Sequence, residues 1–327
     1  MNKVLVTGAY GFLGKYVIRE LISSGYIVVA FGRKNEELKK LKKEFPDITV
    51  FKGDFTDPGS VAAAVRNVDY VIHTGALSTV WGNKKDFIKT NVGGTKNVIK
   101  ACNAYGVKKL VYVSSPSIYC CAHDREMIEE WDYDPNNRLS YYIESKIRSE
   151  KLFEHCLVPY TIIRPRGLIG LGDVSIIPRL IKANRTIGVP LFNGGFNKVD
   201  MTCVENVALA LRLCLEHPES DGKCYNITNG EPREFKEILE KLFKEIGEKP
   251  KYLKAPLGVM IKLAGGIETV YRNLGILKEP PITKYTIYTL GFSQTMNIEH
   301  AKRDLGYCPK ITLDEGIENY AKTYGKN

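Results

Sequence analysis

Residues 7–14 read Thr-Gly-Ala-Tyr-Gly-Phe-Leu-Gly, which places glycines at positions 8, 11 and 14. A short apolar run, Lys3 to Thr7, precedes this stretch, and a helical pattern near 12–24 follows it. Glycine allows a tight turn and a close approach to a pyrophosphate, whose charge then lies at the N-terminus of the helix. A glycine triplet alone is a weak signal, but between a strand and a helix it is a strong one. The stretch therefore predicts a dinucleotide-binding turn.

The chain after this turn alternates short β-branched runs with longer helical patterns, which is typical of a parallel sheet covered by helices. The predicted strands are Lys3 to Thr7, Ile27 to Phe31, Thr49 to Lys52, Tyr70 to His73, Lys109 to Ser114 and Tyr160 to Arg164. The predicted helices lie near 12–24, 35–44, 58–66, 85–105 and 140–156. Six such strands predict an α/β fold with a doubly wound parallel sheet of the Rossmann type.

After Pro165 the pattern changes to shorter elements, separated by glycine-rich and proline-rich connections. We therefore divide the chain into a dinucleotide-binding Rossmann domain, residues 1–165, and a smaller C-terminal α/β substrate-binding domain, residues 166–327. Two runs beyond this boundary, near 199–203 and 223–228, have the character of strands, and we expect them to return to the first sheet.

The composition is that of an ordinary globular protein, with 44% hydrophobic and 26% charged residues among 327. Lys+Arg 47 against Asp+Glu 37 gives a formal net charge of +10. We interpret this excess as a solvated basic surface and expect no nucleic-acid partner, because no recognition motif accompanies it. The eight cysteines show no spacing typical of a zinc site, so we expect reduced thiols, a cytoplasmic protein and no metal. No run approaches 18 apolar residues, so no spanning helix is expected.

The end of the second strand is expected to contact the adenosine ribose, where an acidic residue would favour NAD. Here the strand ends in Gly32-Arg33-Lys34. A guanidinium can pair with a 2′-phosphate and no carboxylate repels it, so NADP is favoured and NAD remains open. Arg33 stacked on the adenine is the alternative interpretation. Asp54, followed by Phe55 after the third strand, is a candidate partner for the adenine amine, although Gly-Asp is also a common turn pair.

Tyr142 and Lys146 are four residues apart on the predicted helix 140–156, so they share one face. Such spacing also arises by chance, as in Tyr105 and Lys109. Tyr142, however, follows Ser115, which comes at the end of a strand, and open α/β sheets bind ligands at the carboxyl ends of their strands. The position therefore marks Tyr142 and Lys146 as a candidate catalytic pair.

A phenol with its ordinary pKa of ~10 is a poor base at neutral pH. We expect the Lys146 ammonium and an oxidised nicotinamide to lower the pKa of Tyr142 toward the operating range. In the reducing direction the same phenol donates its proton to the carbonyl oxygen as hydride reaches the carbon. Ser115 is expected to donate a hydrogen bond to that oxygen, with Ser117 as the alternative, and Lys146 to hold the nicotinamide ribose.

Together these residues resemble the extended short-chain dehydrogenase/reductase family, which belongs to the NAD(P)-dependent epimerase/dehydratase superfamily. The matching motifs cover most of the chain: Thr7 to Gly14, Gly53-Asp54, His73 to Ala76, Asn91 to Thr95, Tyr112 to Tyr119, Tyr142 to Lys146, Arg164 to Gly167 and Asp200 to Val207. Trp81-Gly82, Ser115-Pro116-Ser117 and the long stretch from Cys120 to Ser140 look most similar to the 3β-hydroxysteroid dehydrogenase-like branch.

This resemblance implies a mechanism that uses Ser115, Tyr142 and Lys146, with Asn91 supporting the site from its helix. It also implies a homodimer formed through the helices near 85–105 and 140–156. The expected cofactor-binding residues are Gly8, Tyr10, Gly11, Phe12, Leu13, Gly14, Arg33, Lys34, Asp54, Phe55, Thr74, Gly75, Ala76, Asn91, Tyr142, Lys146, Pro165 and Gly167. Relatives often carry Ala-Ala where this chain has Thr74-Gly75, a difference that is expected to alter the backbone beside the cofactor.

The substrate is expected to contact the second domain and the loops at the carboxyl edge of the sheet. The expected substrate-binding residues are Ser78, Trp81, Ser117, Tyr119 and Arg166. Their largely apolar surroundings favour a small hydrophobic alcohol or ketone, steroid-like or 3-oxo acyl. Arg166, Arg179 and Lys182 would also suit phosphates, so a sugar-nucleotide 4-epimerase or dehydratase is the alternative enzyme. A cofactor-sensing protein without catalysis is the alternative from another class.

Leu257 to Tyr271 has enough apolar positions for an amphipathic helix, with Gly265-Gly266 weakening it in the middle. Three interpretations remain open for this segment. It is an ordinary packing helix, a mobile lid over an apolar substrate, or a helix that rests on a membrane surface.

Overall fold

The computed structural model describes residues 1–324. Its strands are β1 (Lys3–Thr7), β2 (Ile27–Gly32), β3 (Thr49–Lys52), β4 (Tyr70–His73), β5 (Lys109–Val113), β6 (Arg125–Ile128), β7 (Tyr160–Pro165), β8 (Leu168–Ile169), β9 (Val189–Leu191), β10 (Lys198–Val199), β11 (Thr202–Cys203), β12 (Lys223–Ile227), β13 (Arg233–Glu234), β14 (Tyr252–Lys254) and β15 (Gln294–Met296). Its helices are α1 (Phe12–Ser23), α2 (Asn35–Glu44), α3 (Pro58–Val65), α4 (Lys84–Phe87), α5 (Gly94–Tyr105), α6 (Tyr141–Lys151), α7 (Ile177–Arg185), α8 (Val204–Glu216), α9 (Phe235–Glu245), α10 (Leu257–Asn273), α11 (Lys284–Gly291), α12 (Glu299–Leu305) and α13 (Leu313–Thr323).

Seven parallel strands form the central sheet, in the order β3-β2-β1-β4-β5-β7-β12. The order reverses between β1 and β4, which makes the carboxyl ends of these two strands the point where a doubly wound sheet opens a crevice. The expected doubly wound parallel sheet is thus confirmed. Each of the six predicted strands lies in it within one residue of its expected bounds.

Apolar cores cover both faces of this sheet, which is why its strands are apolar along most of their length. On one face, Val17 and Leu21 of α1 pack with Val207 and Leu211 of α8. On the other face, α3 and α5 supply the buried side chains. The β-branched residues of the strands suit this pleated, fully covered surface.

The second half of the chain contributes to both parts of the molecule. β12 joins the central sheet beside β7, and α8 packs on α1. A separate apolar core connects α7, α9 and α13. Smaller sheets complete this second part: β13-β10-β15-β6 with four strands, and the pairs β11-β8 and β14-β9. Segments after residue 165 thus pack in both parts of the molecule, so the two parts are not separated at that residue.

The strand expected near 199–203 does not return to the central sheet, and this expectation is corrected. The region forms two short strands instead, because β10 pairs with β13 and β15 while β11 pairs with β8. Asp200 lies between them, and its side chain accepts a hydrogen bond from the Met296 N–H at 2.7 Å. The Asp200 side chain thus accepts a backbone N–H of β15 at the point where the chain passes from one small sheet to the other.

The helix predicted for 85–105 is interrupted. Ile88–Gly93 forms a π-helical segment between α4 and α5, a local irregularity that often accompanies functional sites. Nothing in the residue pattern indicates it. Within residues 1–324, no helix combines the length and the apolar character that crossing a bilayer requires.

Candidate active site

The surroundings of the first turn require glycine at its two ends. Gly8 has a φ of +66°, and a Cβ there would lie 2.9 Å from the Cα of Gly75. A Cβ on Gly14 would lie 2.3 Å from the carbonyl oxygen of Gly8. Gly11 is exposed and precedes α1 as its N-cap. The turn therefore brings the chain past the head of α1 with no side chain in the way.

This cradle fits the diphosphate of a dinucleotide. Gly11 caps α1 without a side-chain hydrogen bond, and the first turn carries no acidic residue. The N–H groups of that turn have no carbonyl within the helix to bind, and they lie at the positive end of its dipole. Phe12 and Leu13 are partly exposed beside them. Free donors, a positive potential and the absence of side chains are what a diphosphate needs.

The ends of β2 and β3 present opposite charges. Tyr10 packs directly on Gly32, because a Cβ there would lie 2.3 Å from the Tyr10 ring. Arg33 and Lys34 follow and are exposed. The Arg33 guanidinium lies 3.7 Å from the Asp54 carboxylate, and the two side chains are 59% and 35% exposed. Exposed ion pairs of this kind are weak, so Arg33 can exchange Asp54 for a phosphate at low cost.

The contacts of the loop after β4 explain why threonine and glycine suit positions 74 and 75. The Thr74 hydroxyl donates to the Thr7 carbonyl at 2.7 Å, which fixes the loop to β1 beside the glycine turn. A Cβ on Gly75 would lie 2.7 Å from the Phe55 ring, and one on Gly94 would lie 2.3 Å from it. The ring thus fills the space that the two glycines leave. Phe55 is 9% exposed, so its side chain belongs to the core, and a contact of Phe55 with the cofactor stays a prediction.

Three further expected cofactor residues lie at the same edge of the sheet. Ala76 is partly exposed in the loop after β4. Pro165 is the buried last residue of β7. Gly167 follows with a φ of +52°, and its carbonyl accepts a hydrogen bond from the Thr202 N–H at 3.1 Å. Their backbone can therefore border a cofactor that extends from the glycine turn.

Ser115, Tyr142 and Lys146 converge at the carboxyl end of β5. Ser140 caps α6 by accepting a hydrogen bond from the Ile143 N–H at 3.2 Å, which places Tyr142 in the first turn of the helix. Ser115 follows β5 and approaches the Tyr142 phenol closely enough to lower its pKa. Lys146, one turn after Tyr142, is 2% exposed. The structure thus brings the three expected catalytic side chains together.

The Lys146 ammonium group lies against β5. Its Nζ donates to the Val113 carbonyl at 2.8 Å and to the Tyr112 hydroxyl at 3.2 Å. It lies 6.0 Å from the centre of the Tyr142 ring. Two of its three donors are therefore engaged by protein, and one remains for a ligand such as a ribose hydroxyl.

Burial dominates the acid–base properties of this group of residues. It raises the pKa of Tyr142 to about 12, and Ser115 is the neighbour that lowers this pKa. It lowers the pKa of Lys146 from 10.5 to about 7, against the opposing effect of Glu150. In the cofactor-free state burial is thus the main effect on the Tyr142 pKa, and Lys146 is not among the groups that shift it. The phenol is held protonated, as a proton donor requires.

Asn91 connects the loop after β4 to the helix that carries Tyr142. Its Oδ1 accepts from the Leu77 N–H at 2.7 Å, and its Nδ2 donates to the Leu77 carbonyl at 3.0 Å and to the Ser145 hydroxyl at 2.8 Å. Ser145 in turn donates to the Tyr142 carbonyl at 2.7 Å. Asn91 lies in the π-helical segment, which turns this side chain inward. These hydrogen bonds tie the loop after β4 to α6, and the supporting role that the resemblance implies for Asn91 stays a prediction.

The pKa of Lys146 predicts a pH-dependent stability. In the unfolded chain the amine titrates near its usual pKa, whereas in the folded protein it titrates near about 7. Between these values the unfolded state binds one more proton at this residue, so Lys146 contributes a rise of stability with pH of up to about 1.4 kcal/mol per pH unit. We expect stability to rise less steeply with pH in Lys146→Met than in the wild type by this amount, because the buried cysteines, whose pKa values are raised, titrate alike in both proteins. Urea unfolding of both cofactor-free proteins at pH 8 and pH 9 checks it, and an unchanged slope would contradict the assigned pKa.

A cavity of about 210 Å³ opens beside the start of α6. Its lining includes Trp81, Tyr141, Arg272 and Tyr285. The Trp81 Nε1–H donates to the Ile276 carbonyl at 2.9 Å. The Arg272 guanidinium lies 5.5 Å from the Trp81 ring centre and 5.3 Å from that of Tyr141. These contacts join α10 to the loop after β4, so the segment predicted for 257–271 forms one wall of this cavity.

α10 is a single helix despite its two central glycines. Only Ala264 and Glu268 are buried in it, while Val259, Leu263 and Val270 are each at least half exposed. Of the three interpretations of this segment, the packing helix accounts for the inner face alone. The lid and the membrane-surface interpretations both concern the exposed face of α10, and both stay predictions.

The remaining expected substrate residues are placed differently from one another. Ser78 is exposed in the loop after β4. Ser117 is 2% exposed, and its hydroxyl accepts from the Ser115 hydroxyl at 2.9 Å. Tyr119 is 1% exposed and donates to the Asn226 Oδ1 at 2.7 Å. The Tyr119 hydroxyl and ring thus contact the core, and a contact of Tyr119 with a substrate stays a prediction.

The sequence did not predict a role for three residues of this site: Tyr112, Ser145 and Tyr285. Tyr112 and Ser145 lie inside motifs that match the family, but their roles depend on which neighbour each hydroxyl reaches. Tyr285 lies in α11, far along the chain, and is brought beside Tyr142 only by the packing of the second part of the molecule. No local pattern could have identified it.

Comparison with known proteins agrees with this geometry. The family described as the NAD dependent epimerase/dehydratase family matches residues 4–228. The chain is 33% identical to 2-alkyl-3-oxoalkanoate reductase of Stenotrophomonas maltophilia (strain K279a), over 96% of this chain and 97% of that protein. It is 31% identical to the decarboxylating sterol-4-alpha-carboxylate 3-dehydrogenase of Homo sapiens, over 99% and 88%. The structure of UDP-glucuronic acid 4-epimerase from Bacillus cereus in complex with NAD has the same fold, with a TM-score of 0.76, 21% identity and coverage of 99% and 97%.

Proposed function

The chain belongs to the NAD dependent epimerase/dehydratase family, and we propose that it is an NADP-dependent oxidoreductase that interconverts a secondary alcohol and a ketone on a hydrophobic substrate, steroid-like or 3-oxo acyl. One observation carries the proposal. Ser115, Tyr142 and Lys146 meet at the carboxyl edge of the sheet, beside the cradle that fits a dinucleotide. The relatives named as a reductase and a sterol dehydrogenase support the same reaction class.

The residues of the chain divide the work of this reaction. The bound nicotinamide supplies or accepts the hydride. Tyr142, protonated because burial raises its pKa, donates its proton to the carbonyl oxygen during reduction and accepts it again during oxidation. Ser115 donates a hydrogen bond to the same oxygen and stabilises the charge that develops on it. Lys146 holds a ribose hydroxyl with its remaining N–H, and Asn91 keeps α6 in position.

The reaction itself is tested by absorbance at the reduced-nicotinamide band. A hydrophobic ketone with NADPH is expected to consume the cofactor stoichiometrically. A sugar-nucleotide epimerase would turn over UDP-glucose with no net change in that band, and a sensor would bind the cofactor without turnover. Stoichiometric loss of NADPH with the ketone, and none with UDP-glucose, is the result that the proposal requires.

The preference for NADP rests on Arg33. We expect Arg33→Asp to shift the ratio of the NADP and NAD dissociation constants toward NAD by ~10–100-fold, because one charge-assisted contact is lost and a repulsive one is added. Arg66→Asp, an exposed change of equal charge at the end of α3, is the matched control. Fluorescence titration of both cofactors measures the ratio. Equal shifts in the two variants would remove Arg33 from this role.

Sugar-nucleotide chemistry remains the second candidate, because the same fold occurs in a UDP-sugar epimerase. Among the side chains suited to phosphates, Arg179 forms two hydrogen bonds with Glu279, at 2.8 and 2.9 Å. This pair is about as exposed as that of Arg33 and Asp54, so it does not exclude a phosphate. Lys182 is exposed on α7. A homodimer and a cytoplasmic location stay predictions; all eight cysteines are free, in keeping with a reducing compartment.

A further inference from the structure

Two arginines follow each other closely at the end of β7, and they differ in how they are satisfied. Arg164 is 3% exposed and donates to Glu150, to Tyr119 and to the Glu130 carbonyl. Arg166 is 6% exposed. Its backbone N–H donates to the Ile227 carbonyl and its carbonyl accepts from Thr202, but within residues 1–324 its guanidinium makes no hydrogen bond and no ion pair. None of its nitrogen atoms is among the fully buried side-chain atoms that lack a partner, so the guanidinium reaches accessible space, where a ligand can bind it.

Two other polar side chains of this region, Asp200 and Thr289, have buried oxygen atoms without a hydrogen-bond partner. Asp200 lies within electrostatic range of the guanidinium, and its Oδ1 is buried with no hydrogen-bond partner. The Thr289 hydroxyl of α11 is likewise buried and unpartnered. Tyr285, one turn before Thr289, interacts electrostatically with both Arg166 and Tyr142. Ser115 and Arg166 follow β5 and β7, which pair with Val113 opposite Ile163, so the guanidinium and the catalytic side chains belong to the same edge of the sheet.

The two relatives reported above share one feature besides the reacting C–O group. A 2-alkyl-3-oxoalkanoate carries its carboxylate on the carbon next to the 3-oxo carbon. A sterol-4-carboxylate carries its carboxylate on the carbon next to C3, where the dehydrogenase acts. In both substrates, an anion is fixed two bonds from the carbon that exchanges hydride. A site that serves such molecules needs a cation close to its proton donor, on the substrate side.

From this arrangement we infer that Arg166 binds a free carboxylate of the substrate, attached to the carbon next to the reacting one. The inference deepens the proposed function and rests on it: the substrate is a 3-hydroxy or 3-oxo acid with an apolar body. The guanidinium accepts the carboxylate through two parallel N–H donors.

The charge of Asp200 selects among anions. The Asp200 carboxylate is not within ion-pairing distance of Arg166, but the guanidinium is close enough to lower the pKa of Asp200. A singly charged carboxylate gains the guanidinium and meets one repulsive neighbour. A phosphate dianion would meet twice that repulsion, since like charges in a buried site disfavour each other. The subsite is therefore suited to a carboxylate more than to the diphosphate of a sugar nucleotide.

The reaction on such a substrate balances without any other reactant. In oxidation, the Tyr142 phenol first loses its proton to solvent. The C3–H bond then breaks and its hydride passes to NADP⁺, while the hydroxyl proton passes to the Tyr142 oxygen. The products are the 3-oxo acid, NADPH and a proton released to solvent. Arg166 holds the carboxylate throughout and forms no covalent bond.

The test compares an acid with its ester. A 2-alkyl-3-hydroxyalkanoic acid and its methyl ester are oxidised with NADP⁺, and NADPH formation is followed by absorbance. We expect wild-type kcat/KM for the acid to exceed that for the ester by ~10²-fold or more. Arg166→Met should lower kcat/KM for the acid by ~10²–10³-fold, as loss of a buried charge pair does, and leave the ester little changed. Arg166→Lys, which keeps the charge without the planar fork, should recover part of the loss.

Controls separate this role from a structural one. Arg185→Met makes the same substitution at an exposed arginine of α7 paired with Glu248, and it should leave the acid-to-ester ratio unchanged. NADPH binding to Arg166→Met, measured by fluorescence, reports whether the variant is folded. If it is not, the wild-type acid-to-ester ratio and Arg166→Lys still decide.

The outcomes distinguish the two levels of the argument. If the wild-type protein oxidises acid and ester equally well, or if Arg166→Met slows both alike, the carboxylate subsite is refuted while the oxidoreductase function stands. If the wild-type protein oxidises neither molecule and reduces no hydrophobic ketone, the proposed function itself is refuted. A high wild-type ratio that collapses in Arg166→Met supports both.

Discussion

Tyr142→Phe is expected to lower kcat by ~10²–10⁴-fold while leaving the dissociation constant of NADPH nearly unchanged. The magnitude is that of a positioned general acid. Only the hydroxyl is removed, and the ring keeps its packing against Phe87, whose centre lies 6.5 Å away. The loss should therefore appear in kcat rather than in KM or in stability. Steady-state kinetics with a hydrophobic ketone and a fluorescence titration of the cofactor measure the two quantities.

Tyr105→Phe is the matched control for this prediction. Tyr105 also precedes a lysine by four residues, but it is 43% exposed near the end of α5. Lys109 is buried in β5 and pairs with Asp221 and Ser220. The variant should keep full kcat. If Tyr142→Phe kept it too, the phenol would lose its role as proton donor, and Ser115 would have to supply the proton.

The comparison of these two tyrosines shows what the sequence can predict. The fold and the catalytic pair follow from local pattern together with position: a glycine turn between strand and helix, and a Tyr–Lys pair after a strand that ends at the ligand-binding edge. Both signals lie within short segments. The parallel order of the strands then follows from the alternation of strand and helix, because crossover connections leave few other arrangements.

Other features depend on contacts between distant segments, and the sequence could not show them. Phe55 fills the space left by Gly75 and Gly94, so two glycines from different segments are matched by a ring from a third. Tyr119 lies in a motif of the family but is committed to the core. The state of Lys146 follows from its burial, a property of packing that no spacing reveals.

The motif Arg164 to Gly167 combines both cases. Its two arginines are separated by one residue. Each nitrogen of the Arg164 guanidinium donates a hydrogen bond to a protein group, whereas the Arg166 guanidinium has no such partner within residues 1–324. The difference arises because Glu150 of α6 reaches Arg164, whereas no carboxylate comes within ion-pairing distance of Arg166 in residues 1–324. The sequence therefore identifies the motif, but it cannot show which of its arginines stabilises the fold and which is free to bind a ligand.

Arg164→Met is expected to lower the free energy of unfolding by ~3–5 kcal/mol, since breaking one side of a buried ion pair leaves the other charge uncompensated. Glu150 would keep only the hydrogen bond from the Ser114 hydroxyl. The Glu150→Met/Arg164→Met double variant removes both charges and should be more stable than Arg164→Met alone. Urea unfolding of the three proteins at one pH measures the differences.

The same variants connect stability to the active site. Glu150 lies one turn after Lys146 on α6 and raises its pKa. With Arg164 removed, its charge would act on Lys146 without a competitor, so the amine should become more basic in Arg164→Met and less basic in the double variant. The rise of stability with pH would then begin at a higher pH in Arg164→Met and at a lower pH in the double variant. An identical onset in both proteins would show that Glu150 has no influence on the amine.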